Sequence, residues 1–455
     1  MVDPFDLVVT NGEVVLPGGR RRVNLGVRDE RIAAISSDRL DGVEMLDASG
    51  LAVLPGLIDE HFHVWWGYGF ETHLAGGRAA VRGGITTVVE MPLDEPVTLT
   101  AEALEKKLAT AGSEYVTDYA MYGGYLRENP GEMAAMHNAG AIAFKLFTGD
   151  VAPPGMYPGV TPGETYDAMQ RARSLDCPVV VHAESESIVE IESNRLRRAG
   201  RMDPGAWDEA RPWFSELEAV QSVGLMSALT GCRTVIAHVP SPQVITAISG
   251  LRRDGTPIWA ESCTHQLCLA KEDMERDTRL KWNPPTRSRA AVDSMWGLLR
   301  SGDVHCIGSD HAPLPKTPDA DIWTQNPGIG NGVETMFPVL ATEAIYTRDV
   351  PLTRLVELFC TNPAQIFGLY PRKGAIIVGA DADFTIVELN GNRTLDAREL
   401  EWHEPEGAWS PYDGRELRVY PQYTVIRGNV VYGEGEVIAQ PGSGQYITTE
   451  RDATC

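Results

Sequence analysis

Nowhere in the 455 residues does an uncharged apolar run reach the roughly 18 residues that suggest a membrane-spanning helix. The opening MVDPFDLVVTNGEVV has no basic segment followed by an apolar one, so no secretory leader is expected. Cysteine is sparse. Its seven positions (177, 232, 263, 268, 306, 360 and 455) are odd in number and form no C-x-x-C pair, which argues against a disulfide framework. Four lie in apolar settings (DCPVVVH, GCRTVIAH, VHCIGSD and LFCTNPA), the pattern of free, buried thiols in a reducing cytoplasm. Basic residues are also few: 40 Lys and Arg against 63 Asp and Glu give a net charge of −23. Such a surface repels phosphate backbones and anionic lipid, so neither nucleic acid nor a membrane is an expected partner. The same charge serves solubility without any further role. Solenoid repeats and low-complexity stretches are missing too.

The chain does hold enough apolar residues, 43%, to bury a large core. Its length suits two to three domains of roughly 150 residues, or one barrel of about 250 residues with a smaller unit. Residues 1–54 read as short strands and turns, with an Asn-Gly hairpin signal inside FDLVVTNGEVVL. From residue 55 to 373 apolar β-like runs alternate with helical stretches: ITTVVEMP before AEALEKKLATAGS, AIAFKLF before TYDAMQRARSLD. Continuous apolar strands between helices indicate a parallel sheet covered on both faces, and about eight such units indicate a closed barrel. Residues 374–455 return to short strands. The expected architecture is α/β: a distorted (β/α)8 TIM barrel over 55–373, with a small β-sandwich-like domain built from 1–54 and 374–455.

Chemistry-bearing residues gather where these strands end. His61 and His63 form H-x-H in LIDEHFHV, and residues i and i+2 of a strand share a face. Alone the pair is only moderately specific. His182 closes CPVVVH and His238 closes CRTVIAH. A lone buried histidine is usually a hydrogen-bonded core residue, but two such strand ends beside H-x-H favour one shared site. Asp310 in CIGSDHAP can ligate a metal and shuttle a proton, or serve as a helix cap or turn residue. Lys145 in AIAFKLF is costly to bury as a cation. It either snorkels to the rim or loses its charge. A carbamate formed with CO2 is an anion with two oxygens, able to bridge two cations. H-x-H, Lys, His, His and Asp, in that order and each at the end of a strand, make a combination that chance rarely assembles.

The segments PGLIDEHFHV, GGITTVVEMPL, AGAIAFKLF, VVVHAESE, IAHV, AESCTHQLCL, KWNPPTRS, IGSDHAP, GIGNGVETMFP, NPAQIFGLYP and KGAIIVGADADFTIVEL carry a resemblance nearly end to end. The chain resembles the cyclic amidohydrolases: hydantoinases, dihydropyrimidinases, allantoinases and dihydroorotases. EMPL, WAESCTHQLCL and GNGVETMFP look most like allantoinases and L-hydantoinases. The resemblance implies two divalent ions, usually zinc, with a metal-bridging hydroxide that hydrolyses the C–N bond of a cyclic amide or ureide such as allantoin or a 5-substituted hydantoin. It implies that His61, His63, Asp310 and Lys145 hold the buried ion. Lys145 (as N6-carboxylysine, made with CO2), His182 and His238 would hold the outer one. Asp310 would be the general base. Such enzymes commonly form homotetramers.

Expected substrate contacts are less distinctive. By resemblance, Asn283 in WNPPT and Asn331 in GNGVE would bind the ring amide, partly through main chain, although either suits a turn. Dihydropyrimidinases carry an oxyanion-stabilising tyrosine a few residues after the bridging lysine. Here Phe147 and Thr148 take that place, and Tyr157, beside Met156, would have to fold back or else pack at the rim. Trp65, opening WWGYGF, forms an apolar wall or packs on the barrel mouth, and it stands where dihydroorotases have an arginine for the substrate carboxylate. His311 is a candidate pocket residue. His73, His137, His265, His305 and His403 read as structural or exposed. The alternatives are a dihydropyrimidinase-like, imide or linear-amide hydrolase on the same centre, or a non-catalytic scaffold homologue. The complete ligand set argues against the scaffold.

Overall fold

The computed structural model describes residues 4–149, 157, 159–275, 277–318, 320–402 and 407–449; Met156, His403 and Cys455 lie outside them. Eight strands form one parallel sheet in chain order: β1 (Leu57–Phe62), β2 (Ile85–Glu90), β3 (Asp118–Gly124), β4 (Ala143–Phe147), β5 (Val179–His182), β6 (Thr234–Ile236), β7 (Ile258–Cys263) and β8 (Cys306–Gly308). Their Ile, Val and Thr content suits the pleated sheet, and nearly every residue is buried because helices cover the outside while side chains fill the inside. The helices start at clear signals. Thr72, Thr100 and Ser288 accept main-chain N–H groups at N-caps, and Thr161 and Glu164 form a capping box.

Closure comes just past the last strand. A parallel bridge joins Phe62 to His311, and the His63 N–H donates to the His311 carbonyl at 2.9 Å. Asp59 on β1 accepts from the Ser309 N–H at 2.9 Å and from its hydroxyl. The sheet is thus the (β/α)8 barrel read from the sequence.

Both chain ends build the flanking sheets. Ala52–Pro55 pairs antiparallel with Phe384–Glu388 and parallel with Glu13–Leu16 inside a seven-stranded sheet. Phe5–Thr10, Asn24–Arg28, Arg31–Ser36 and Gly42–Asp47 form a separate four-stranded sheet. Leu7, Val9, Leu25 and Ile32 of the smaller sheet share a core with Val53, Phe384, Ile386 and Val425 of the larger.

The Asn-Gly step is not a hairpin. Phe5–Thr10 and Glu13–Leu16 lie in different sheets. Asn11, at φ 63°, turns the chain out of one sheet into the other, with its amide on Asp47 at 2.8 Å. A Cβ on Gly12 would come within 2.7 Å of Val53, so the close approach of the two sheets needs glycine there. The actual hairpin joins Glu13–Leu16 to Gly19–Arg22.

One buried charge cluster ties barrel to flank. Lys373 donates to Asp118 and Asp383 at 2.6 Å each and lies 3.1 Å from Asp381; Arg427 pairs with Asp118, and Arg372 with Asp381 at 2.9 Å. Three facing carboxylates could hold a metal ion, but the Lys373 ammonium already stands among them. Surrounding acids outweigh burial and raise that ammonium's pKa, so it stays charged. Lys373→Ala is expected to strand buried carboxylates and cost about 3–5 kcal/mol. A fall in the midpoint of denaturant unfolding is the measurement.

Candidate metal centre

The C-terminal ends of the barrel strands open on one cavity. Its wall includes His61, His63, Lys145, His182, His238 and Asp310, with Trp65, Leu93, Phe147, Asn283, Ala312, Leu314, Pro327 and Gly328. All six residues of the sequence pattern therefore meet, although 249 positions separate His61 from Asp310. Alternation along each strand aims them inward. His238 (φ 42°) and Asp310 (φ 48°) close their strands in the left-handed region, as does Trp65 (φ 55°) past β1. Non-glycine residues rarely adopt that conformation, and its concentration here marks a functional site.

The spacing between donor atoms suits metal ions. Asp310 Oδ1 lies 3.4 Å from His61 Nε2 and 3.6 Å from His63 Nε2, and Lys145 Nζ is 3.5 Å from the same His61 nitrogen. His182 Nδ1 and His238 Nε2 are 3.0 Å apart. Metal–ligand bonds near 2.0–2.1 Å in tetrahedral array put neighbouring donors about 3.3 Å apart. Protonation also fits. Burial first, then nearby cationic Lys145, holds His61 well below its usual pKa; His63, His182 and His238 are lowered too, chiefly by burial. They are neutral imidazoles, the form that ligates. Burial opposes the charge on Asp310, but His61 and His63 hold its pKa below the usual range. Burial lowers the Lys145 ammonium to about 8, which enriches the free amine that reacts with CO2.

Carboxylates stand behind the histidines. Glu261 Oε1 meets His61 Nδ1 at 2.7 Å, and Glu184 Oε2 meets His182 Nε2 at 2.7 Å with Arg211 against it. These contacts fix which ring nitrogen faces the cavity. Sequence reading passed over both acids. The visible signals were a glutamate inside the apolar strand IWAESC, where a bare charge is expensive, and one two residues after His182.

The expected substrate contacts divide. Trp65 and Asn283 line the cavity. Trp65 stacks on His63 at 5.7 Å, and both its indole Nε1 and Asn283 Oδ1 are buried without a hydrogen-bond partner. Three others face elsewhere. Asn331 donates its amide to the Trp409 carbonyl at 2.6 Å and accepts from Ser410. His311 turns behind the seam, 2.9 Å from Glu71 and stacked on Phe62. Tyr157 does fold back, but its hydroxyl donates to the Lys145 carbonyl at 2.7 Å and its ring borders a neighbouring groove. Of the histidines given no role, His73 and His265 are buried.

A second buried network braces the wall. Lys107 donates to the Met91 carbonyl at 2.9 Å and Asp94 at 2.7 Å, and lies 3.0 Å from Glu90, which accepts from Tyr115 at 2.6 Å. Burial alone would raise the Glu90 carboxyl; Lys107, His73 and Tyr115 hold it at about 2 instead. A depressed folded pKa gives stability that is complete above the ordinary value of 4.5 and fades as pH falls toward 2. Glu90→Gln should therefore be less stable at pH 7, with the gap to the parent closing between pH 4.5 and 2, as unfolding at a series of pH values would measure.

The Amidohydrolase family model matches residues 52–431. The chain is 36% identical to the L-hydantoinase of Paenarthrobacter aurescens, with 98% of each chain covered. It is 33% identical to an allantoinase of Escherichia coli, over 97% of this chain and 98% of that one. The solved L-hydantoinase (dihydropyrimidinase) from Arthrobacter aurescens superposes with a TM-score of 0.93 at 34% identity, covering 98% of this chain and all of that one. A D-hydantoinase structure gives 0.89 at 27% identity, covering 97% and 98%.

Proposed function

The chain belongs to the amidohydrolase family, and we propose that it opens the C–N bond of a five-membered cyclic ureide, favouring a hydantoin with an apolar 5-substituent. The observation that carries this reading is the convergence of four imidazoles, Lys145 and Asp310 on one cavity. His61, His63, Asp310 and a carboxylated Lys145 would hold one divalent ion; that Lys145, His182 and His238 would hold another, zinc fitting the nitrogen-rich donor set. Bound there, the ions supply a polarised amide carbonyl and a water of lowered pKa. Asp310, kept ionised beside His61 and His63, takes the proton from the attacking water and returns it to the departing ring nitrogen. Asn283 Oδ1 accepts a ring N–H, and Trp65 covers the ring face.

The relatives are an L-hydantoinase and allantoinases, and the lining of the cavity supports a preference between those two substrate types. Trp65, Leu93, Phe147, Ala312, Leu314 and Pro327 offer apolar surface, with no charged side chain beyond the six named groups among the described lining. Allantoin's ureido arm would lose water against that surface and regain few hydrogen bonds, with Trp65 Nε1 the unpartnered donor there, whereas an alkyl or aryl arm gains from burial. The chemistry sits in the barrel of 55–373, and 1–54 with 374–455 forms its frame. Exposed Ile191, Trp213, Phe214, Leu225 and Leu229 on Glu186–Arg198 and Trp213–Thr230 are apolar surface suited to a homotetramer. Among the described residues six buried cysteines form no disulfide, which suits a reducing cytoplasm, and no helix is long and apolar enough to cross a membrane.

The test loads the enzyme with zinc and bicarbonate and compares 5-benzylhydantoin with allantoin. Expected is a kcat/KM at least about tenfold higher for 5-benzylhydantoin, consistent with 1–3 kcal/mol for apolar-pocket discrimination. Chelation should abolish turnover, and Asp310→Asn should lower kcat by about 10²–10⁴. A loaded enzyme that opens no cyclic amide would overturn the reading; faster opening of allantoin would overturn the substrate preference.

A further inference from the structure

We propose that Glu261 is the positioning residue that holds the ligands of both ions in one register. The proposal rests on the ligand assignment above and goes beyond it. Glu261 lies on β7, fully buried, and supplies no face of the cavity wall. Its single oxygen Oε1 serves two partners: His61 Nδ1 at 2.7 Å and the main-chain N–H of His238 at 3.0 Å. His61 comes from β1 and would bind one ion. His238 follows β6 and would bind the other. One acceptor atom thus sets the two sites relative to each other.

Its two effects are distinct. Accepting the Nδ1 proton of His61 fixes the tautomer and turns the Nε2 lone pair toward Asp310 and Lys145. At His238 the carboxylate grips a strained backbone. With φ at 42°, that residue needs its surroundings to keep it there. Glu261 Oε1 takes its N–H, while the Gln266 amide donates to its carbonyl at 2.6 Å. Space for this arrangement is made by Gly308, where a Cβ would meet His61 Cβ at 2.6 Å and the Glu261 carboxylate at 3.2 Å. The other oxygen, Oε2, has no partner, so the work falls on Oε1. His63, by contrast, has no partner on its Nδ1 and no link of this kind.

The experiment counts metal. Wild type, Glu261→Gln, Glu261→Asp and Glu261→Ala are loaded with cobalt(II) and bicarbonate, equilibrated against rising dipicolinate, and read by elemental analysis and visible spectrum. Glutamine keeps an acceptor at Oε1, so Glu261→Gln should retain both ions within a few-fold of the wild-type chelator midpoint. Aspartate keeps the carboxyl group but falls one methylene short of its two partners. Glu261→Asp and Glu261→Ala should release both ions together at about 10–100-fold lower chelator, with an altered cobalt spectrum. Glu261→Asp keeps the test decisive if the alanine variant does not fold. Wild-type chelator sensitivity in Glu261→Asp, or loss of one ion alone, would overturn the proposal while leaving the ligand assignment standing. A wild-type protein that takes up no metal would overturn both.

Discussion

The closing seam between β1 and β8 is the constraint on which the centre depends. H-x-H lies on the first barrel strand and Asp310 follows the last, so they meet only because the sheet curls into a ring. Asp59 grips Ser309, and the His63 N–H donates to the His311 carbonyl, immediately beside the His61, His63 and Asp310 side chains these contacts align. Burial pushes the Asp59 carboxyl up to about 7, so this bond is made in a largely dry setting where its loss is expensive. The flanking sheets add a second hold on the same strand, because Ala52–Pro55 leads into β1 and pairs with Phe384–Glu388.

Around the cavity, charge is arranged in layers. Neutral imidazoles and one ionised aspartate face inward. Behind them Glu261, Glu184 and Asp59 fix ring nitrogens and loops. Farther out, Arg211, Arg287 and Lys107 neutralise buried acids. A cavity suited to metal ions needs its donors fixed in place before an ion arrives, since side chains free to rotate would have to be ordered at a cost to binding.

Much of this was legible in the sequence. Continuous apolar strands alternating with helices suffice for the barrel. A histidine that ends such a strand faces the mouth by geometry, so H-x-H, His182 and His238 could be grouped without coordinates. Glu261 could not be paired with His61, because β7 stands two strands from β1, beyond β8, and which of their residues come level depends on the barrel's stagger, which is not written in any local stretch. Asn11-Gly12 misled for a similar reason: the step supplies a turn, but tertiary packing decides whether that turn joins partners or parts them. Asn331 and His311 have their side chains taken up by Trp409 and Glu71, contacts with residues distant in the chain that no local stretch announces.

The lysine lodged among Asp118, Asp381 and Asp383 has a bearing on cation traffic. A chain this acidic meets divalent ions over its whole surface, and a buried trio of carboxylates would trap them in competition with the barrel mouth. With an internal ammonium as permanent tenant, that trap is closed from the moment the two chain ends fold together. Metal arriving at the folded protein would be left with the histidine-lined mouth as its destination among these clusters, and the ratio of bound ion to polypeptide would then be a direct census of occupied centres.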